Sequence, residues 1–218
     1  MISLKNIQIL EENMVYKNFL LRFLFAVIIL SIYFIISYID FNLVFYLILI
    51  IYFIILLEII IYFKTYKFIP IIYIALSLIC FLDIDFKEFK ILDFNLLLII
   101  IITFDIFSYF FGKTIGKTKL INISPKKTIE GLVGGIIVSI LFSIIFSYYF
   151  EILINMHLFI YIFLIIFSSL SGDLIESYFK RKNNLKNSSN IIPGHGGVFD
   201  RFDSFLFSII VYSIFISF

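Results

Sequence analysis

Long apolar stretches alternate with short polar ones along this chain, and their lengths decide what they are. A bilayer core of about 30 Å takes about 20 helical residues, and the runs at 18–38, 42–63, 93–112, 131–150 and 153–172 have that length. Two shorter runs complete seven predicted spans: 68–82, with Pro70 near its start, and 205–218. The fold class this implies is all-α, a polytopic transmembrane helix bundle of about seven spans. No repeat at a fixed period and no obvious second domain interrupts it. The chain divides into N-terminal helices, 1–92, and a region 93–218 that carries polar loops at 113–130 and 173–204. The first span is too long for a cleaved signal peptide, and no small-residue cleavage site follows it.

Composition removes the other classes. The 218 residues are 62% hydrophobic and only 15% charged, against about 45–50% apolar and about 25% charged in an average soluble domain. A soluble globule, a disordered tail and a disulfide scaffold are excluded. A single cysteine, Cys80, supports neither an internal disulfide nor a cysteine-based metal site. A net charge of +2 is too small to point to nucleic acid. With seven spans, segments 1–17, 64–67, 113–130 and 173–204 share one side and hold every basic residue except Arg22, Lys87 and Lys90. The opposite segments carry Asp40, Asp83, Asp85, Glu88 and Glu151. By the positive-inside rule the basic side is cytoplasmic, with the N-terminus in and the C-terminus out.

A carboxylate inside a span costs at least about 2.5–3.5 kcal/mol, so Glu58 and Asp105 call for a reason. Each lies roughly 10 Å below the cytoplasmic end of its helix, at the usual helical rise. Asp105, Ser108, Tyr109 and Gly112 fall on one helix face, and Asp173, Glu176, Ser177 and Lys180 repeat that spacing. Two polar faces at matching depth predict a water-filled cavity open to the cytoplasm. The alternative is that these groups snorkel or pair with loop lysines.

Loop 113–130 is not a phosphate-binding P-loop, because Gly112 and Gly116 enclose three residues where that motif needs four. Ser124-Pro125 reads as a helix start, serine at the N-cap and proline after it. The same helix N-terminus, flanked by Lys126, Lys127 and Thr128, is a ready anion site; the residues leave both readings open. In loop 173–204, Gly194, Gly196 and Gly197 allow close approach to a ligand. Asp200 and Asp203 stand at i, i+3, so both can face one point, and Asp173 makes a third carboxylate. Magnesium takes one or two carboxylates plus substrate phosphates, while Lys180, Arg181, Lys186 and Arg201 supply cations for a polyphosphate. A plain lipid-headgroup patch has no need for three carboxylates.

The run Ser177-x-x-Lys180-Arg181, then Lys186, then Pro193-x-His195-Gly-Gly-x-x-Asp200-Arg201-x-Asp203 resembles the signature of the phosphatidate cytidylyltransferases, or CDP-diacylglycerol synthases. Asp105-x-x-x-Tyr109-Phe-x-Gly112 and Ser124-Pro-Lys-Lys-Thr-x-Glu-Gly resemble that family's middle region, so the likeness covers 105–135 and 171–204. The resemblance implies a magnesium-dependent nucleotidyltransferase of phospholipid biosynthesis, joining CTP to phosphatidic acid to give CDP-diacylglycerol and pyrophosphate. It would work in a bacterial-type inner membrane with its site facing the cytoplasm. Asp173, Asp200 and Asp203 are the implied metal ligands, with room for a second ion, and act in catalysis with Lys180 and Ser177. The implied substrate contacts are Lys180, Arg181, Lys186, His195, Gly196, Gly197, Arg201, Ser124, Lys127, Thr128 and Asp105. His195 fits a loop organiser or phosphate donor better than a general base. The partners are CTP and bilayer phosphatidic acid, with a homodimer left open and no nucleic acid. Asn187 stands where the family usually has aspartate, and Ile129 where tryptophan is common. The rival readings are a CTP-dependent polyprenol or lipid kinase, a prenyltransferase with Asp-x-x-Asp pairs, and a transporter built around Glu58 and Asp105.

Overall fold

A computed structural model describes residues 31–84, 91–121, 124–192 and 196–216, with the backbone alone for 124–126. Helical residues 31–39 (α1) precede α2 (Asn42–Tyr62), α3 (Phe68–Asp83) and α4 (Ile91–Thr114). A short hairpin, β1 (Lys119–Ile121) and β2 (Ser124–Thr128), leads to α5 (Ile129–Tyr149), α6 (Met156–Lys182) and α7 (Phe199–Ile216). Among the described residues α2, α4, α5 and α6 are long and apolar enough to cross a membrane. Their outer faces suit a lipid solvent: Ile50, Phe53 and Ile60 on α2 and Ile137, Leu141 and Ile145 on α5 are all exposed. The 16 residues of α3 reach only about 24 Å, short of the bilayer core. Residues 18–30 of the first expected span, and the charges Arg22, Asp85, Lys87, Glu88 and Lys90, lie outside the described residues.

Two boundaries move, for physical reasons. The apolar run of α6 ends near 172, yet the helix continues to Lys182, 27 residues in all. Asp173, Glu176 and Lys180 keep the helical period, Glu176 pairs with Lys180 one turn on, and the basic residues at the end complement the helix dipole. Segment 173–204 is thus two helix ends joined at 183–198.

The hairpin corrects the all-α expectation locally, and it displaces the expected helix start. The N-cap of α5 is Thr128, in extended backbone, whose hydroxyl accepts from the Gly131 N–H at 3.1 Å; Ser124 begins a strand instead. Glu130 reaches back to the N–H and hydroxyl of Thr118 at 2.9–3.2 Å, fastening the base of the hairpin to the first turn of α5. Pro125 lacks an N–H, which a two-stranded edge tolerates.

Helix α4 lies along α5, α6 lies along α7, α3 packs on α7, and α4 also touches α6. A small residue at every fourth position of α5 (Gly131, Gly135, Ser139, Ser143 and Ser147) is buried. This pattern lets two helix backbones approach closely in lipid. A Cβ at Gly131 would run into the Ser108 carbonyl, and one at Gly135 would crowd Ser108 and Phe104. The expected polar face of α4 is therefore corrected: Ser108 and Gly112 pack on α5, while Tyr109 is 66% exposed. Ile55, Ile59, Ile74, Leu97, Ile100, Ile162, Phe199 and Ile209 form the buried centre. A polar thread crosses it, with Tyr52 OH 2.6 Å from Ser77 Oγ, which donates to the Leu206 carbonyl.

Candidate active site

Residues from three of the polar segments meet at one end of the bundle. Asn183 Oδ1, just past α6, accepts from the Thr65 and Tyr66 N–H groups of the α2–α3 turn at 3.1 and 3.2 Å. Lys127, at the end of β2, puts Nζ 2.5 Å from Asp173 Oδ2. Segment 173–204 thus touches both 64–67 and 113–130 through described residues, although spans separate them in the sequence.

Helix α6 supplies one wall. Gly172 has no side chain where α7 crosses, and a Cβ there would run into the Asp203 carbonyl. That close approach brings Asp173, Glu176 and Asp203 together, each offering an oxygen within 4.8 Å of the others. Glu176 is fully buried, and its Oε1 has no hydrogen-bond partner among the described residues. Asp203 Oδ1 accepts from the Ser204 N–H at 2.8 Å, and Ser177 Oγ donates to Asp173 Oδ1 at 3.3 Å. Three carboxylates with a buried, unsatisfied oxygen are the all-oxygen donor set that a hard divalent cation takes. The residues fit such an ion.

The carboxylates that converge differ in one member from the expected ligand set. Asp200 is absent from this group and Glu176 is in it. The Asp200 oxygens are committed elsewhere: Oδ1 to Lys180 Nζ at 2.6 Å, and Oδ2 to the Ser188 N–H, Ser188 Oγ and Gly197 N–H at 2.8–2.9 Å. Burial alone would push this carboxyl up, but the Lys180 charge and the Gly197 N–H outweigh burial and hold it at about 2. Lys180 joins the two halves, since its Nζ also lies 2.5 Å from Glu176 Oε2.

The other expected residues differ in where they stand. Asp105 Oδ1 accepts from Ser169 Oγ at 3.1 Å, one turn of α6 before Asp173. Gly196, at φ +85°, pairs with Ile192 and stands against Asp200, where a side chain would collide. Gly197 is packed between Glu58 and Ser188. Arg181 donates to the Leu185 carbonyl at 3.0 Å, while Lys186 and Arg201 are exposed. Thr128 is spent as the cap of α5, Ser124 is described by backbone alone, and His195 lies outside the described residues with Pro193 and Gly194. Glu58 is buried and among the described residues pairs with no lysine; its Oε2 accepts from the Val198 and Phe199 N–H groups at 2.8 and 3.1 Å. Sequence reasoning missed Ser188 and Asn183, two polar residues in a polar loop with nothing to mark them. It placed Glu176 on the polar face of its helix without bringing it into the carboxylate group.

Bilayer-length helices with a carboxylate and lysine cluster at one end define a membrane protein with a charged site built from its last two helices. The profile described as the Cytidylyltransferase family matches residues 1–218, and the chain belongs to that family. It is similar to the phosphatidate cytidylyltransferase of Helicobacter pylori, 34% identical over 122 residues, which are 56% of this chain and 46% of that protein. It is similar also to the Bacillus subtilis phosphatidate cytidylyltransferase, 39% identical over 46% of this chain and 38% of that one. Against Arabidopsis thaliana phosphatidate cytidylyltransferase 4, chloroplastic, identity is 42% over 50% of this chain and 28% of that protein. The matched stretch spans less than half the length of each of these curated relatives.

Proposed function

We propose that this chain transfers the cytidylyl group of CTP to phosphatidic acid, giving CDP-diacylglycerol and pyrophosphate. The observation that carries the reading is the group of Asp173, Glu176 and Asp203 set between Lys127 and Lys180 at the loop end of bilayer-length helices. In this reaction a phosphatidate oxygen bonds to the α-phosphorus of CTP as the bond to the bridging oxygen breaks, and pyrophosphate leaves with that electron pair. A phosphate monoester has a second pKa near about 6, so the attacking oxygen is already charged at neutral pH and needs no strong base. What the protein must do is position two anions and stabilise charge at the α-phosphorus.

This chain's residues suit that task. Asp173, Glu176 and Asp203 would hold magnesium, which when bound neutralises phosphate oxygens. Lys127 and Lys180 bring ammonium groups to the same place, and Arg181, Lys186 and Arg201 stand around the loop to meet the rest of the polyphosphate. Asp200 keeps Lys180 and the glycine loop in register. Asp105 borders the site from α4 through its contact with Ser169. The same reading carries seven spans, a cavity open to the cytoplasm and a place in a bacterial inner membrane, with room for a second metal and for a homodimer.

The test is purified chain in mixed micelles with labelled CTP, phosphatidic acid and magnesium. Labelled CDP-diacylglycerol with stoichiometric pyrophosphate is the expected result. Release of CDP with a newly phosphorylated lipid would mean a kinase, and no nucleotide turnover at all would overturn the reading.

A further inference from the structure

Helix α2 belongs to the N-terminal part of the chain and contributes nothing to the carboxylate cluster. Yet it carries a glutamate that is 0% exposed, in a span where a carboxylate is expensive. The partners of Glu58 are specific. A helix N-terminus leaves its first N–H groups unpaired and favours negative charge, and the N-terminus in question is that of α7. The N–H groups of Gly197, Val198 and Phe199 point in succession at two carboxylates: the first at Asp200 Oδ2, the next two at Glu58 Oε2. Gly197 fits only because it has no side chain, since a Cβ there would overlap Glu58 Oε1 and Ser188 Oγ.

The turn fastened in this way is the one from which the site is built. Asp200 follows Phe199 directly, and Asp203 lies one turn further on. The other end of the same connection is tied to the same post, because Asn183 holds the backbone of Thr65 and Tyr66 just after α2. We propose that Glu58 is a positioning residue: by capping α7 from α2 it sets where Asp200 and Asp203 stand relative to Asp173 and Glu176. The proposal rests on the metal reading of that cluster given above.

The working part of Glu58 is an acceptor oxygen at the right reach, so the side chains that replace it separate reach from charge. Glu58→Gln keeps an acceptor at the same distance without the charge. Glu58→Asp keeps the charge and falls one methylene short, and Glu58→Ala removes both. The readout is Mn²⁺ binding to the purified, detergent-solubilised chain by electron paramagnetic resonance, without nucleotide, alongside the magnesium dependence of turnover. Glu58→Ala and Glu58→Asp should raise both half-saturating metal concentrations by at least about tenfold, the scale for groups that orient metal ligands. The CTP KM at saturating magnesium should stay nearly fixed. Glu58→Gln should remain close to wild type in all three. If Glu58→Ala does not purify as a monodisperse protein, the Asp and Gln variants decide alone. Wild-type metal affinity in Glu58→Asp, or Glu58→Gln as impaired as Glu58→Asp, would overturn the proposal. If wild-type chain turns over CTP while the variants titrate like it, positioning fails and the function stands. If wild type binds no Mn²⁺, the metal reading fails and this proposal with it.

Discussion

Two helix pairs in this molecule are built on the same device and put it to different uses. In α4 and α5, Gly131 and Gly135 let the backbones close, and what they meet is Ser108 and Phe104. Two of the three hydroxyls along that stripe are absorbed locally, Ser139 donating to the Gly135 carbonyl at 2.8 Å and Ser143 to the Ser139 carbonyl at 2.7 Å, while the buried Ser147 Oγ has no hydrogen-bond partner among the described residues. Nothing ionised comes of the contact. In α6 and α7, Gly172 lets α7 approach in the same way, but the residues on either side are Asp173 and Asp203, and carboxylates converge. Small residues determine how close helices come in lipid. The neighbours of the small residue determine whether closeness yields packing or chemistry.

That contrast can be broken at its strongest point first. Asp203→Asn keeps the size and removes a charge from the converged group. Turnover should fall by more than about 100-fold, beyond the usual cost of losing a supporting group around a metal, while the protein remains monodisperse in detergent. Combining it with Asp173→Asn should be little worse than the poorer single change, because groups acting as one unit are non-additive. Clean multiplication of the two losses would show that they serve separate ends.

Lys180→Met leaves the buried Glu176 and Asp200 without their shared cation. Breaking a buried ion pair from one side costs about 3–5 kcal/mol, and thermal unfolding in detergent should show a loss on that scale together with loss of activity. Near-normal stability would mean that the two carboxylates find other partners.

The glycines sharpen the comparison itself. Gly172→Ala and Gly131→Ala should each cost about 1–3 kcal/mol from overpacking. Only Gly172→Ala should also raise the magnesium concentration for half-maximal activity, because only there does the backbone shift separate ligands. An equal magnesium shift in both would erase the distinction between packing pair and site pair. The smallest effect is expected at Asn187, exposed beside Gly196 and outside the carboxylate group. Asn187→Asp should change turnover or magnesium affinity by no more than a few-fold, and upward if the added charge finds Lys186 or the ion.

The apolar helices were legible because lipid leaves a chain few choices, and runs such as 42–63 and 93–112 come close to α2 and α4. The end of α6 was harder to read, since hydropathy stops at 172 while the helix is carried on by the i, i+4 pairing of Glu176 with Lys180. The hairpin at 119–128 is too short to show a strand period, and the Ser-Pro pair that suggested a helix start belongs to its second strand. At the site, Asp173 with Glu176 and Asp200 with Asp203 have the same i, i+3 spacing, so sequence alone could not say which three of the four carboxylates converge. That depends on the rotation of α7 against α6, fixed by a glycine on one helix and a carbonyl on the other. Glu58 was visible as an expensive carboxylate, but its partners lie about 140 positions away in the sequence, where no local pattern reaches.

On the metal reading proposed above, Glu176, and not Asp200, completes the carboxylate group that would hold the ion. Calorimetric titration of magnesium into the purified Glu176→Gln and Asp200→Asn proteins tests it directly. Glu176→Gln should abolish the tight binding event, whereas Asp200→Asn should keep its stoichiometry with weakened affinity, because it loosens the loop and leaves the ligands in place. Tight binding retained in Glu176→Gln and abolished in Asp200→Asn would contradict the account.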